Sequence, residues 1–240
     1  LNFNPVPVTV AKRFCSDILR GLSYLHSKGV VHCDIKPANI LVTLDGVCKL
    51  ADFGSSIAHS DVKRPEGADV EHLRGTAAYM APEVARGDDP TAASDVWSFG
   101  VLLCELASGR LPFDDAGQRM VKSESRFIVA LSRLKCDRDF GIKPHHHDGE
   151  DDGSTPLYLP EGGEGGSASS NVVVSGDNSA STPFGDRRSS SLSRKDAPPM
   201  KLCIGIDVDQ LAREVIESCL RPNPAQRASV DQLLSYAFML

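Results

Sequence analysis

No stretch of this 240-residue chain is long and apolar enough to cross a membrane. A span needs about 20 such residues, and the richest run, VWSFGVLLCEL, is broken by Ser98, Gly100 and Glu105. The opening residues LNFNPVPV have neither the basic start nor the apolar centre of a secretory signal. Residue 1 is Leu and not Met, so Leu1 is not expected to be the natural start. Paired cysteine motifs are missing too. Cys15, Cys33, Cys48, Cys104, Cys136, Cys203 and Cys219 are scattered and form no CxxC, which argues against a disulfide framework or a zinc site. They are expected to be reduced, largely buried thiols of a cytoplasmic protein. Excess positive charge is also lacking: 26 basic against 32 acidic residues give a net charge of −6, with no footprint for nucleic acid.

The 41% hydrophobic content is ample for a core. Phe14, Ile18, Leu22 and Leu25 form one stripe over residues 10–28, with Ala11, Cys15 and Leu19 beside it. That spacing predicts an amphipathic helix opened by Thr9 and closed by Gly29. ILVT and VCKLA flanking an Asp45-Gly46 turn predict a short hairpin. Residues 55–74 are polar and aperiodic, too long for an ordinary connection, and are expected to be functional or disordered. From Asp95 to Ala107 the chain is apolar on all sides, as in a helix buried within a lobe.

Residues 137–200 differ in kind, with eleven Ser, nine Gly and six Pro. Such a segment buries too little apolar surface to offset its ordering entropy, so it is expected to be a disordered insertion. It also contains eleven acidic and six basic residues, so most of the chain's net negative charge belongs to it. Beyond it, DVDQLAREVIESCL predicts a helix with Asp207 and Gln210 as its cap pair. SVDQLLSYAFM predicts another, with Ser229 and Gln232 as a capping box. The expected domains are 1–136 and 201–240, forming one mostly helical lobe, interrupted by 137–200.

The stretch HCDIKPAN carries His32, Asp34, Lys36 and Asn39. Asp52-Phe53-Gly54 follows the second strand of the hairpin, then GTAAYMAPE at 75–83 and DVWSFG at 95–100. Taken together and in this order, these motifs resemble the C-terminal lobe of a eukaryotic protein kinase of the serine/threonine type. The stretch GLSYLHSKGVVHCDIKPANILV with KLADFGSS most resembles the STE group and its mitogen-activated kinase-kinase-kinase-like members.

The resemblance implies an α+β, mainly α-helical fold, a protein-kinase-like C-lobe with a short β-hairpin at the catalytic cleft and no N-lobe in this chain. It implies ATP-dependent phosphorylation of serine or threonine on protein substrates, with ATP and Mg2+ required. Asp34 resembles the base that takes the substrate hydroxyl's proton, and Lys36 the cation that steadies the moving phosphoryl group. Asn39 and Asp52 resemble the oxygen ligands of Mg2+. Ile40 and Leu41 resemble the residues beneath adenine, and Thr76 the one beside the substrate hydroxyl. Structural roles fall to His32 and Phe53 in a packed spine, with Gly54 completing the DFG motif. Asp95 resembles the carboxylate under the catalytic loop, and Glu83 with Arg227 the buried ion pair.

Cys33 stands where many kinases carry an Arg that pairs with a phosphorylated activation-loop residue. A thiol cannot make that pair, so activity is expected to depend less on activation-loop phosphate, a dependence tested by phosphorylating Ser55, Ser56 or Ser60. An upstream kinase acting on those serines, or on Ser190 after Arg187-Arg188, is a candidate partner; nucleic acid and membrane are not. His145-His146-His147 beside Asp148 and Glu150 offers a weaker metal motif, read here as a solvated tract. No glycine-rich loop, strand Lys or pairing helix Glu precedes HCDIKPAN, so the chain is expected to be part of a larger kinase and of little activity alone. The alternative is a pseudokinase or protein-binding, regulatory module without phosphotransfer; intact Asp34, Lys36, Asn39 and Asp52 favour the enzyme.

Overall fold

In the computed structural model the described residues are 4–58, 75–134, 200–205 and 207–239. Helix α1, Val8–Ser27, turns Ala11, Cys15, Ile18, Leu19 and Leu22 into the core. Thr9 does not open it. The Pro7 carbonyl already accepts from the amides of Val10 and Ala11, both at 2.9 Å, so Thr9 falls inside the first turn.

Two short antiparallel ribbons follow. In the first, β1 (Val30–Val31) pairs with β4 (Ile57–Ala58), Val31 facing Ile57. The second is the expected hairpin of β2 (Ile40–Val42) and β3 (Cys48–Leu50), in register Leu41 to Lys49. Its turn is closed by Thr43 and Val47 and by the Gly46 amide on the Thr43 carbonyl. The hairpin is tied to α1 because Asp17 accepts from the Cys48 amide at 3.0 Å.

Helix α2, Pro82–Arg86, is short. Helix α3, Ala92–Ser108, is the axis of the fold, with every residue from Ser94 to Glu105 buried. It begins three residues before Asp95 because Thr91 and Ser94 form a reciprocal capping box. Helices α4 (Asp115–Met120) and α5 (Glu124–Ser132) cover one side. Helix α6, Gln210–Cys219, packs along α3 so closely that a Cβ at Gly100 would lie 2.5 Å from Cys219 Cβ. Its cap is Asp209, whose carboxylate accepts from the Leu211 and Ala212 amides, and not the expected Asp207. Asp209 directly precedes the first turn, within reach of the unpaired amides there. Helix α7, Val230–Leu234, has the expected Ser229–Gln232 box but ends well before Met239.

The residues that follow the long polar segment join the core at once. Met200, Leu202 and Ile204 are buried, and Leu202 bridges Phe113 in antiparallel fashion. Met200, placed by sequence in the disordered insertion, packs over Gly117; the rest of that expectation, with Ser190 and the His145–His147 motif, lies outside the described residues. So do Ser60 and most of the 55–74 loop. No described helix is long and apolar enough to cross a membrane.

Candidate functional site

The loop between β1 and β2 crosses over the start of α3, and Asp95 in the first turn of α3 holds it there. One Asp95 oxygen accepts from the His32 amide and the other from the Cys33 amide, each at 2.9 Å. These bonds fix a backbone that Cys33 bends through a left-handed conformation, φ 68°. A non-glycine residue at positive φ is strained, and such strain persists only where neighbours over-determine it. Here the clasp of Asp95 supplies that determination.

His32 is fully buried and joins two further strands of the site. Its Nδ1 accepts from the Asp34 amide at 3.3 Å, which leaves the proton on Nε2 to be donated to the Ala51 carbonyl at 3.1 Å. The Phe53 ring lies 5.1 Å from the His32 ring. Phe53 is 49% exposed, so the expected packed spine is only half closed at this ring.

Around Asp34 the sequence-predicted residues converge. Asp34 Oδ2 pairs with Lys36 Nζ at 2.8 Å and accepts from Asn39 Nδ2 at 2.9 Å. Asn39 also donates to the Asp34 carbonyl at 2.8 Å, closing the loop on itself. Asp34 Oδ1 accepts from both the amide and the hydroxyl of Thr76, each at 2.9 Å. Lys36 Nζ reaches the same hydroxyl at 2.7 Å. Burial pushes the Asp34 carboxyl up, but hydrogen bonds from Lys36, Thr76 and Asn39 more than offset this, and it is held below its ordinary range. The group is therefore an ionised acceptor over the physiological range.

Thr76 reaches Asp34 because Gly75 lets the chain pass. Gly75 has φ 93°, and a Cβ there would lie 2.4 Å from the Cys33 carbonyl oxygen. The Thr76 turn continues through Tyr79, whose hydroxyl donates to the buried Glu105 of α3. Burial, and then that bond, push the Tyr79 phenol above its ordinary range. Ser98 donates to the Tyr79 carbonyl at 2.7 Å, a second tie from α3 to the same segment.

Asp52 stands apart from the Asp34 cluster, exposed and left-handed at φ 59°, its Oδ1 accepting from the Gly54 amide. Its neighbour Ala51 donates to the Asn39 carbonyl at 2.9 Å, which sets Asn39, just before β2, beside the chain that leads from β3 to Asp52. A side-chain amide oxygen and a carboxylate whose other oxygen has no partner among the described residues are hard donors of the type Mg2+ accepts. Leu41 is 59% exposed on the open face of the hairpin. Ser56 donates to the His32 carbonyl at 3.3 Å, so a hydroxyl expected to be a modification target also steadies the loop.

The remaining pair, Glu83 and Arg227, is a separate buried support below the segment that holds Thr76. Sequence reasoning missed His26, whose Nε2 lies 2.9 Å from Asp95 Oδ2. Its place at the end of α1 carries no motif. It also missed the Tyr79–Glu105 bond, since Glu105 reads as an interruption in an apolar helix.

The protein kinase domain model matches residues 3–239. The match spans the chain, against the expectation of a domain that lacks one lobe; the strands among the described residues are those of the two ribbons. Mitogen-activated protein kinase kinase kinase 17 of Arabidopsis thaliana is 40% identical over 114 residues, 48% of this chain and 29% of that protein. MAP kinase kinase kinase mkh1 of Schizosaccharomyces pombe is 42% identical over 125 residues, 50% of this chain and 11% of that protein. The proto-oncogene serine/threonine-protein kinase mos of Sus scrofa is 37% identical over 110 residues, 45% of this chain and 31% of that protein. The chain thus spans less than a third of the length of these relatives.

Proposed function

The chain belongs to the protein kinase family, and on that premise we propose that it transfers the γ-phosphoryl group of ATP to serine or threonine hydroxyls of protein substrates. The observation that carries this reading is the convergence of Lys36, Asn39 and Thr76 on the two oxygens of Asp34. As a substrate oxygen bonds the γ-phosphorus, the bond from that phosphorus to the β,γ-bridging oxygen breaks and ADP leaves with its electrons. The substrate hydroxyl's proton passes to Asp34. A carboxylate held below its ordinary range is a weak base, which suits late proton transfer in a loose transition state where positioning counts for more than basicity. Lys36 places positive charge beside the moving phosphoryl group, and Thr76 orients the accepting hydroxyl against Asp34.

Asn39 and Asp52 are the residues that would hold magnesium, which neutralises phosphate charge when bound. Leu41 offers an apolar floor for the adenine. The described elements are read as the helical lobe of the kinase domain, with residues 1–136 and 200–240 as its two parts and 137–199 as an insertion. The names of the relatives support a mitogen-activated kinase-kinase-kinase-like member. Cys33 in the place of an Arg supports an active state that relies little on activation-loop phosphate.

The test is phosphotransfer from Mg-ATP to a generic serine/threonine substrate by the natural protein that contains this chain. Replacing Asp34 with Asn should lower the rate by roughly 10²–10⁴-fold. Equal background rates in the folded parent and in the variant would favour the reading of a pseudokinase or binding module.

A further inference from the structure

Behind the catalytic loop lies a cavity that the phosphotransfer reading does not use. It has a volume of about 510 Å³ and opens between the end of α1 and the starts of α3 and α7. Val96, Ala92 and Val230 give it an apolar wall. Its one carboxylate is that of Asp231. Asp231 accepts from Ser23 through Oδ1 at 2.9 Å, and no ion pair engages it among the described residues. His26 lines the cavity as well. Its Nε2 is directed at Asp95 Oδ2, an oxygen that already accepts from the His32 amide, so Nε2 is the donor, and in the neutral imidazole Nδ1 is left as an acceptor. Arg227 borders the same space, but its guanidinium is engaged by both oxygens of Glu83 and by the Ala93 carbonyl. The open charge of the cavity is therefore negative.

An apolar wall that ends in a carboxylate and a ring-nitrogen acceptor suits a side chain with an aliphatic stem and a cationic, multi-donor head. We infer that this cavity is a binding site for the arginine or lysine side chain of an extended partner peptide. A head group that donates to His26 Nδ1 holds the imidazole in the tautomer that donates to Asp95. Asp95 in turn grips the His32 and Cys33 amides beside Asp34. The site thus reaches the catalytic loop through one imidazole and one carboxylate.

The inference is tested by binding on the full 240-residue chain, without reference to phosphotransfer, so its failure leaves the kinase reading untouched. The probe is N-acetyl-arginine methylamide followed by NMR, with the norleucine analogue as the neutral control. Arginine should shift the signals of Asp231, Val230 and the His26 ring, and should slow hydrogen exchange at the His32 and Cys33 amides. Asp231→Asn, at an exposed position, should weaken binding about tenfold or more, as expected for loss of a charge-assisted hydrogen bond. Ala92→Trp, which fills the mouth from an exposed position, should abolish it. Equal binding of norleucine, undiminished binding in Ala92→Trp, or the same shifts produced by inorganic phosphate would overturn the assignment. Unchanged exchange at His32 and Cys33 under saturation would overturn the link to the loop.

Discussion

Arg227 grips Glu83 with both arms of its guanidinium, Nη1 to Oε1 at 2.5 Å and Nη2 to Oε2 at 2.6 Å, across 144 residues of sequence. Both are buried, and Arg227 also donates to the Arg221 and Ala93 carbonyls while lying 5.1 Å over the Trp97 ring. The pair joins the segment that carries Thr76 to the loop before α7. Replacing Arg227 with Ala strands a buried carboxylate and should destabilise the fold by about 3–5 kcal/mol. Replacing it with Lys should recover only part of this, because a point charge cannot span both oxygens. Urea denaturation midpoints check both; an unchanged midpoint in Arg227→Ala would count against the pair as a support.

Gly75→Ala should displace Thr76 from Asp34. The added Cβ would sit 2.4 Å from the Cys33 carbonyl oxygen, at a backbone φ of 93° that side chains rarely adopt. The backbone must shift, and the Thr76 amide loses its bond to Asp34. Amide hydrogen exchange at Thr76 should accelerate in the variant while exchange in α3 stays as it was. Identical protection at Thr76 would show that the loop absorbs the methyl group elsewhere.

The lowered Asp34 pKa links this carboxylate to stability at acid pH. Burial raises it, and the bonds from Lys36, Thr76 and Asn39 lower it further than burial raises it. A folded-state value below the unfolded one, which is about 3.9, means the ionised form favours the fold. That contribution is complete above the unfolded value and is lost as pH falls through the folded value. The stability difference between the parent and Asp34→Asn should therefore be constant near neutrality and shrink below about pH 4. A difference that stayed level down to acid pH would contradict it.

Thiol labelling near neutral pH should divide the cysteines by burial. Burial pushes the Cys104 and Cys219 thiols up to about 12 and the Cys15 thiol higher still. Thiolate is the reactive form, so these three should resist maleimide in the folded protein and react only in denaturant. Mass spectrometry of the labelled chain decides the point. Modification of Cys15 under native conditions would mean that the α1 face opens.

Much of the fold was legible because local rules act over a few residues. Helical spacing brings Ile18 and Leu22 of the expected α1 stripe into the core with Ala11, Cys15 and Leu19 beside them, while Phe14 and Leu25 stay half-buried, and the Ser229–Gln232 box follows from side chains three residues apart. Local rules failed where two neighbours compete. Asp207 and Asp209 both offer a capping carboxylate, and Asp209, directly before the first turn of α6, is the one that accepts from the Leu211 and Ala212 amides. In the same way Thr9 lost to the Pro7 carbonyl.

The sequence by itself determined which chemical groups are present and in what order: a carboxylate, an ammonium and an amide within six residues, Asp34 to Asn39, and the motifs after them. Spacing that short constrains side chains through a single turn of backbone. The tertiary structure alone decided that Thr76 closes on Asp34, that Asp95 clasps the His32 and Cys33 amides, and that His26 backs Asp95 from a cavity. These partners lie dozens of residues apart, and no periodicity relates them. They meet because the all-round apolar α3 must be buried, and burying it brings the loop, α1 and the Thr76 segment onto its surface, where each buried polar group has to find a partner.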